Sequence, residues 1–592
     1  MKQLIKYFKP YLWQFFLLLI MVYLMVAATL ALPDYMATII NKGIIGKDMA
    51  IIWHDGLIML LMAFGAAGAS IVIGWLASRI AAGFSRDIRT AIFTKVESFS
   101  LHEFNTFSTA SLITRTTNDV QQIQMVMTML LRMSLMAPFM GVWAIIKAYH
   151  NAPSMTWIMG LAVGVLIAIV AILFTIAIPR FKILQKLVDR LNLVSREILT
   201  GLRVIRAFNR ESVEEQKFDC ANIELTNVNL FVNRLLVIMQ PMMTVIMNIT
   251  SLAVIWYGAR LVDLGNLQIG QMLAFMQYAM QAVFSFLLIT MVFIMVPRAS
   301  VSADRIGEVL ATEATIKDPE KPVDVTLIHN GKVEFDNVTF SYAGADAPVI
   351  CDITFTALPG QTTAFVGSTG SGKSTIINLI PRFYDVTKGT IKIDGVDIRQ
   401  MRLEDLYAKI GYVPQKGVLF SGTVESNLKY GAPNASADEV KQAVEIAQAK
   451  NFVEKLKGQY EAEISQGGTN VSGGQKQRLS IARAIIRQPE IYIFDDSFSA
   501  LDFTTDAKLR QALSLATKNK TVLIVAQRIS TIINADKIVV LDEGMIVGQG
   551  THSELMESCP VYREIASSQL SEEELNSYLG QAPNRLAMEG TI

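Results

Sequence analysis

The sequence predicts a chain in two parts, an α-helical domain that crosses a bilayer six times with long cytoplasmic helix extensions, then a soluble α/β domain. Three observations carry this. The 592 residues are too many for one domain, and 52% of them are hydrophobic. Mean hydropathy is positive, as soluble chains seldom show. Apolar runs of about 20 residues crowd the first half, whereas the second alternates short strands, helices and Gly-rich turns. The charged stretch 317–325, twice interrupted by proline, reads as the junction. We therefore expect a membrane domain at 1–310, a linker at 311–330, the α/β domain at 331–570 and a weakly packed tail at 571–592.

The expected spans are 11–32, 56–80, 127–146, 155–178, 235–257 and 270–296, the third carrying Arg132 and Pro138. The apolar run after the basic start MKQLIKYFKP is too long for a removed signal, so the first span should stay. Orientation follows from basic bias. Arg79, Arg86, Arg89, Lys95 and Arg115 lie between spans two and three, and Arg180, Lys182, Lys186, Arg190, Arg203, Arg206 and Arg210 between four and five. Those segments, and both termini, should face the cytoplasm. Both are far longer than ordinary loops and keep helical periodicity, so helices should run out of the membrane and reverse near 104–111 and 202–208.

Cys220, Cys351 and Cys559 match neither a disulfide framework nor a metal site, and we read them as reduced. A net charge of +1, with no basic run interleaved with aromatics, gives no sign of nucleic acid. Methionines are frequent in the last two spans, among them Met239, Met242, Met243, Met247, Met272, Met276, Met280, Met291 and Met295. Such side chains suit an adaptable apolar cavity, although each singly is more often packing or lipid contact.

The chemistry lies in the α/β part. Gly367, Ser368, Thr369, Gly370, Ser371, Gly372, Lys373, Ser374 and Thr375 form a P-loop, preceded by the β-branched TTAFV and followed by the helical TIINLI. Its glycines let backbone amides crowd around phosphates, Lys373 adds a point charge and Ser374 offers a hydroxyl to Mg²⁺. About a hundred residues on come VSGGQ (with Ser472, Gly473, Gly474 and Gln475) and IYIF, closed by Asp495 and Asp496. ATP and Mg²⁺ are the implied ligands.

Six spans followed by this P-loop, VSGGQ and IYIFDD resemble a half-transporter of the ATP-binding cassette exporter family, over nearly the whole chain. The resemblance implies an ATP hydrolase coupled to transport. It gives Tyr342 to the adenine, Gln415 to Mg²⁺ and the membrane domain, Asp495 to Mg²⁺ through water, and Asp502 to the dimer seam. Segments 111–120 and 201–211 resemble those flanking the two coupling helices of exporters. Two positions depart from the pattern. Asp496 stands where the family has a glutamate that polarises the attacking water, and Gln527 where it has a histidine facing the γ-phosphate. The first keeps the charge on a shorter arm; the second keeps a hydrogen-bond donor that cannot become cationic. His552 lies too far along to fill that role.

Two departures in one composite site imply a slow site, as in the degenerate-site subunit of bacterial heterodimeric multidrug exporters. The intact signature, Ser472 to Gln475, would then complete the competent site of a second half-transporter, a homodimer being the lesser expectation. The resemblance places the complex in the plasma membrane, exporting amphipathic drugs as ATP binding closes the cassettes. Lipids or hydrophobic peptides are the alternative cargo. A nucleotide-gated channel or regulatory subunit is the alternative class.

Overall fold

The computed structural model describes residues 2–325 and 329–570, so the expected tail and three residues of the expected linker lie outside it, as do the side chains of Met291 and Met295. By contacts the chain divides into two units. One is Met1–Glu97 with Ser108–Thr312; the other is Ser98–Phe107 with the chain from Glu313 onward.

Among its described residues, every regular element of the first unit is a helix. Five helical segments among them are long and apolar enough to cross a membrane: Lys6–Ile44, Met49–Glu97, Thr109–Asn151, Pro153–Ala207 and Glu211–Asp263. The sixth expected span falls in the 43-residue helix Ile269–Ala311, which is not among those five. Apolar residues on all sides are what lipid demands, since only a helix satisfies its own backbone there. Several polar groups are paired between helices. Asp34 accepts from Tyr278 Oη at 2.5 Å and from Lys147 Nζ at 2.7 Å, joining three helices, and Asn41 Oδ1 caps Gly270 N at 2.8 Å. Met243 is buried among Ala162, Leu166, Ile246 and Val283, with Met239 and Met247 against the same cluster, so these methionines act as packing within the unit.

The segment between the fourth and fifth expected spans is helical, within helices of 52 and 53 residues, Thr156–Ala207 and Glu211–Asp263. Their reversal falls at 208–210, just beyond the expected 202–208. The helix runs on through Ala207 and closes where Asn209 takes φ 51° and Arg210 N reaches Ile205 O at 3.0 Å. Asparagine enters that left-handed region more readily than its neighbours Phe208 or Arg210 would. The other reversal follows Glu97 as the short helix Leu101–Phe107, ended by Ser108 at φ 55°. Within the second unit Glu103 fixes this segment. Buried, it accepts from Ser100 N at 2.8 Å and Ser100 Oγ at 2.6 Å, and from Thr315 Oγ1 at 2.8 Å. Burial opposes its charge, but these bonds hold its carboxyl below the usual range.

Among its described residues the second unit has twelve strands. An antiparallel sheet takes β1 (Val333–Phe340), β2 (Ile350–Ala357), β4 (Lys388–Ile393) and β5 (Val396–Asp397) in the order β2-β1-β4-β5. A small ribbon pairs β7 (Gly422–Thr423) with β8 (Glu463–Ile464). The central six-stranded sheet holds β3 (Thr362–Gly367), β6 (Ile410–Val413), β9 (Ile491–Asp495), β10 (Thr521–Val525), β11 (Lys537–Asp542) and β12 (Met545–Gly550). Its order is β12-β11-β3-β10-β9-β6, parallel except for the β11–β12 edge pair. β9 and β10 are buried at every residue, as strands covered on both faces should be.

Candidate functional site

Parallel strands deliver their following loops to one end, and here register aligns those ends: Val525 pairs with Phe365 and with Asp495, and Val413 with Phe494. The P-loop leaves β3, Gln415 follows β6, Asp495 and Asp496 close β9, and Gln527 follows β10. Residues spread over more than 150 positions of sequence thus meet on one sheet edge.

The P-loop is shaped by its glycines. Gly370 and Gly372 take φ 88° and 95°, and a Cβ on Gly372 would lie 2.5 Å from Ile350 Cγ2. Lys373, first residue of the helix Lys373–Leu379, folds back so that Nζ donates to Gly367 O at 2.9 Å and Ser368 O at 2.7 Å. Burial lowers its pKa, against the pull of Asp496 and Asp495. Ser374 Oγ donates to Asp495 Oδ1 at 3.1 Å. Burial, with the neighbouring charge of Asp496, raises the Asp495 pKa. Thr375 Oγ1 lies 3.2 Å from Tyr342 Oη, and the Tyr342 ring stands edge-on to Phe340 and Tyr384.

Asp496 is buried, at φ 45°, its backbone N donating to Val525 O at 3.0 Å. Its Oδ2 accepts two amides, from Gln527 Nε2 at 3.0 Å and Gln415 Nε2 at 3.2 Å. Burial raises its pKa although Gln415 opposes this. Asp496 and Gln527 are therefore bonded to each other.

The signature residues have a different setting. Ser472 N-caps the helix Gly473–Ile486 in a capping box with Gln475, its N donating to Gln475 Oε1 at 2.8 Å. A Cβ on Gly474 would meet Ala500 O at 3.2 Å, so this helix start lies against the segment before Asp502. Asp502 caps Phe503–Ala516 by accepting from Thr505 N at 3.1 Å, which with Thr504 holds its pKa down to about 2.

A phosphate chain fits this cradle: a glycine loop open to backbone approach, a lysine turned into it, and a Ser374–Asp495 pair whose oxygens suit a hard divalent cation.

Comparison with known proteins agrees. Residues 15–286 match the model of the ABC transporter transmembrane region and 350–499 that of the ABC transporter domain. An uncharacterised ABC transporter ATP-binding protein of Mycobacterium tuberculosis is 43% identical over 549 residues, 92% of this chain and 93% of the relative. The chain belongs to the ABC exporters, with fused membrane and ATP-binding domains. An ATP-dependent lipid A-core flippase of Pseudomonas aeruginosa is 30% identical over 540 residues, 89% of this exporter and 87% of the flippase. The solved structure of a bacterial Atm1-family ABC exporter with ATP bound superposes with a TM-score of 0.79 at 25% identity, covering 94% and 98% of the two chains.

Sequence reasoning missed three contributors. Glu103 was legible as Ser-x-x-Glu, a capping-box pattern. Tyr384, edge-on to Tyr342, and Gln569, bonded to Gln527 O and Ile529 N, left no local signal because their partners are distant in sequence.

Proposed function

We propose that this exporter is one half of a heterodimer moving amphipathic or hydrophobic compounds out of the cell, and that its own ATP site is the slow one. The observation carrying the reading is Asp496 Oδ2, which receives the amides of both Gln415 and Gln527. A base that must reach an attacking water is here a short carboxylate committed to two donors. Bound MgATP supplies the phosphoanhydride and the cation's charge. The chain's part is to hold them, with Lys373 and the P-loop amides on the phosphates, Ser374, Gln415 and Asp495 toward the cation, and Tyr342 toward the base. Ser472, Gly473, Gly474 and Gln475 complete the partner's site, and Asp502 lies at the seam.

On this reading six spans cross the plasma membrane with both termini cytoplasmic, and 571–592 follow as a tail. Lipid export is a second reading, favoured by the flippases that share 30% identity with this chain. The test is Mg²⁺-dependent ATPase activity in nanodiscs, of this chain alone and with a candidate partner. Turnover only in the mixture, abolished by Glu→Gln at the partner's base but merely weakened by Asp496→Asn, supports the reading. Equal turnover by this chain alone overturns it.

A further inference from the structure

The short helix Ile529–Ile532 begins two residues after Gln527, and its N-cap residue Arg528 gives it no side-chain cap. The cap comes from the far end of the cassette. Gln569 Oε1 accepts from Ile529 N at 2.9 Å, and Gln569 Nε2 donates to Gln527 O at 2.9 Å. One side-chain amide thus bridges the backbone on both sides of Arg528. Behind it, Tyr562 and Ala566 bury the helix Pro560–Ser567 in the same core cluster that takes Ile529 and Ile532. A third support comes from Arg510 Nη1, which donates to Ser530 O at 2.8 Å while Arg510 pairs with Asp506 at 2.9 Å.

Gln527 is itself exposed, and its side chain spans from this anchored backbone to Asp496 at 3.0 Å. Freed at Gln527 O and Ile529 N, the backbone could turn the Gln527 amide away, because little packing on the side chain would oppose it. We infer that Gln569 is a positioning residue for the nucleotide site, holding the Gln527 backbone so that its amide is presented toward the γ-phosphate. The inference rests on reading Gln527 as the residue that senses that phosphate.

The test uses the full chain in nanodiscs with its partner, measuring ATP and ADP affinities by displacement of a fluorescent ATP analogue. Gln569→Ala should lower the preference for ATP over ADP about three- to tenfold, the scale of one hydrogen bond, that from the Gln527 amide to the γ-phosphate. Gln569→Glu, which keeps the acceptor for Ile529 N but loses the donor to Gln527 O, should do the same at unchanged melting temperature. Added to Gln527→Ala, Gln569→Ala should change nothing further, because it acts through that residue. An unchanged preference in both Gln569 variants, with Gln527→Ala lowering it, overturns the inference alone. An unchanged preference in Gln527→Ala overturns the reading of Gln527 and the inference with it.

Discussion

Gln527 Nε2 lies 3.0 Å from Asp496 Oδ2, so these two side chains share one hydrogen bond. A histidine at that position would offer a cation to the same oxygen, and a glutamate at 496 would reach one methylene further. The pair thus behaves as a unit, and its substitutions should not be additive.

Accordingly, Asp496→Glu combined with Gln527→His should raise ATP turnover at this site by about tenfold or more, the scale of a restored general base. Either single change should recover less than half of that gain on a logarithmic scale. ATPase activity of the dimer carrying a Glu→Gln partner, so that only this site turns over, decides it. Unchanged turnover in the double variant would mean that Asp496 and Gln527 already suffice.

Gly372→Ala should cost about 1–2 kcal/mol or more, because φ 95° disfavours any Cβ and this one would collide with Ile350. Melting temperature and ATP affinity should fall together. Gly473→Ala, where a Cβ meets nothing within 4 Å, is the control for stability.

Glu103→Ala should leave basal ATPase activity near its original level while removing its stimulation by transported substrate. Four donors from Ser100 and Thr315 converge on that carboxylate, so its loss frees the segment Ser98–Phe107 from the linker. Retained stimulation would show that other contacts, such as Asn105 Nδ2 to Tyr384 Oη at 3.4 Å, carry the coupling.

Acid should loosen the C-terminal helices through His552. Burial holds its pKa below the ordinary value, and its Nδ1 lies 2.7 Å from Tyr562 Oη. A depressed folded pKa means that the neutral ring contributes stability fully above the unfolded value, about 6.5, and loses it as pH falls through the folded value. Melting temperature should therefore drop on acidification below about pH 6.5, and His552→Gln should flatten that drop. An equally steep drop in the variant would assign it to other groups.

Much of the site is legible in the order of residues along the chain. Gly367 to Thr375, Asp495 and Ser472 to Gln475 are local patterns whose chemistry needs those residue types in that order, and each sits where strand, loop and helix are expected. The distribution of apolar runs also sets the membrane part apart from the ATP-binding part. Reversal points are less legible: one moves to Asn209 because a helix end is set by which residue tolerates a left-handed turn.

By itself, then, the sequence determined the resemblance to the ABC exporters, a membrane part ahead of an ATP-binding part, and a candidate phosphate cradle with Asp496 and Gln527 further along the chain. Only the tertiary structure decided that these two bond to one another, that Glu103 joins its segment to the second unit, and that Gln569 caps the helix after Gln527. The reason is physical. Local motifs act through neighbours along the chain, whereas these contacts join residues 31, 212 and 40 positions apart, brought together only by sheet register and helix packing.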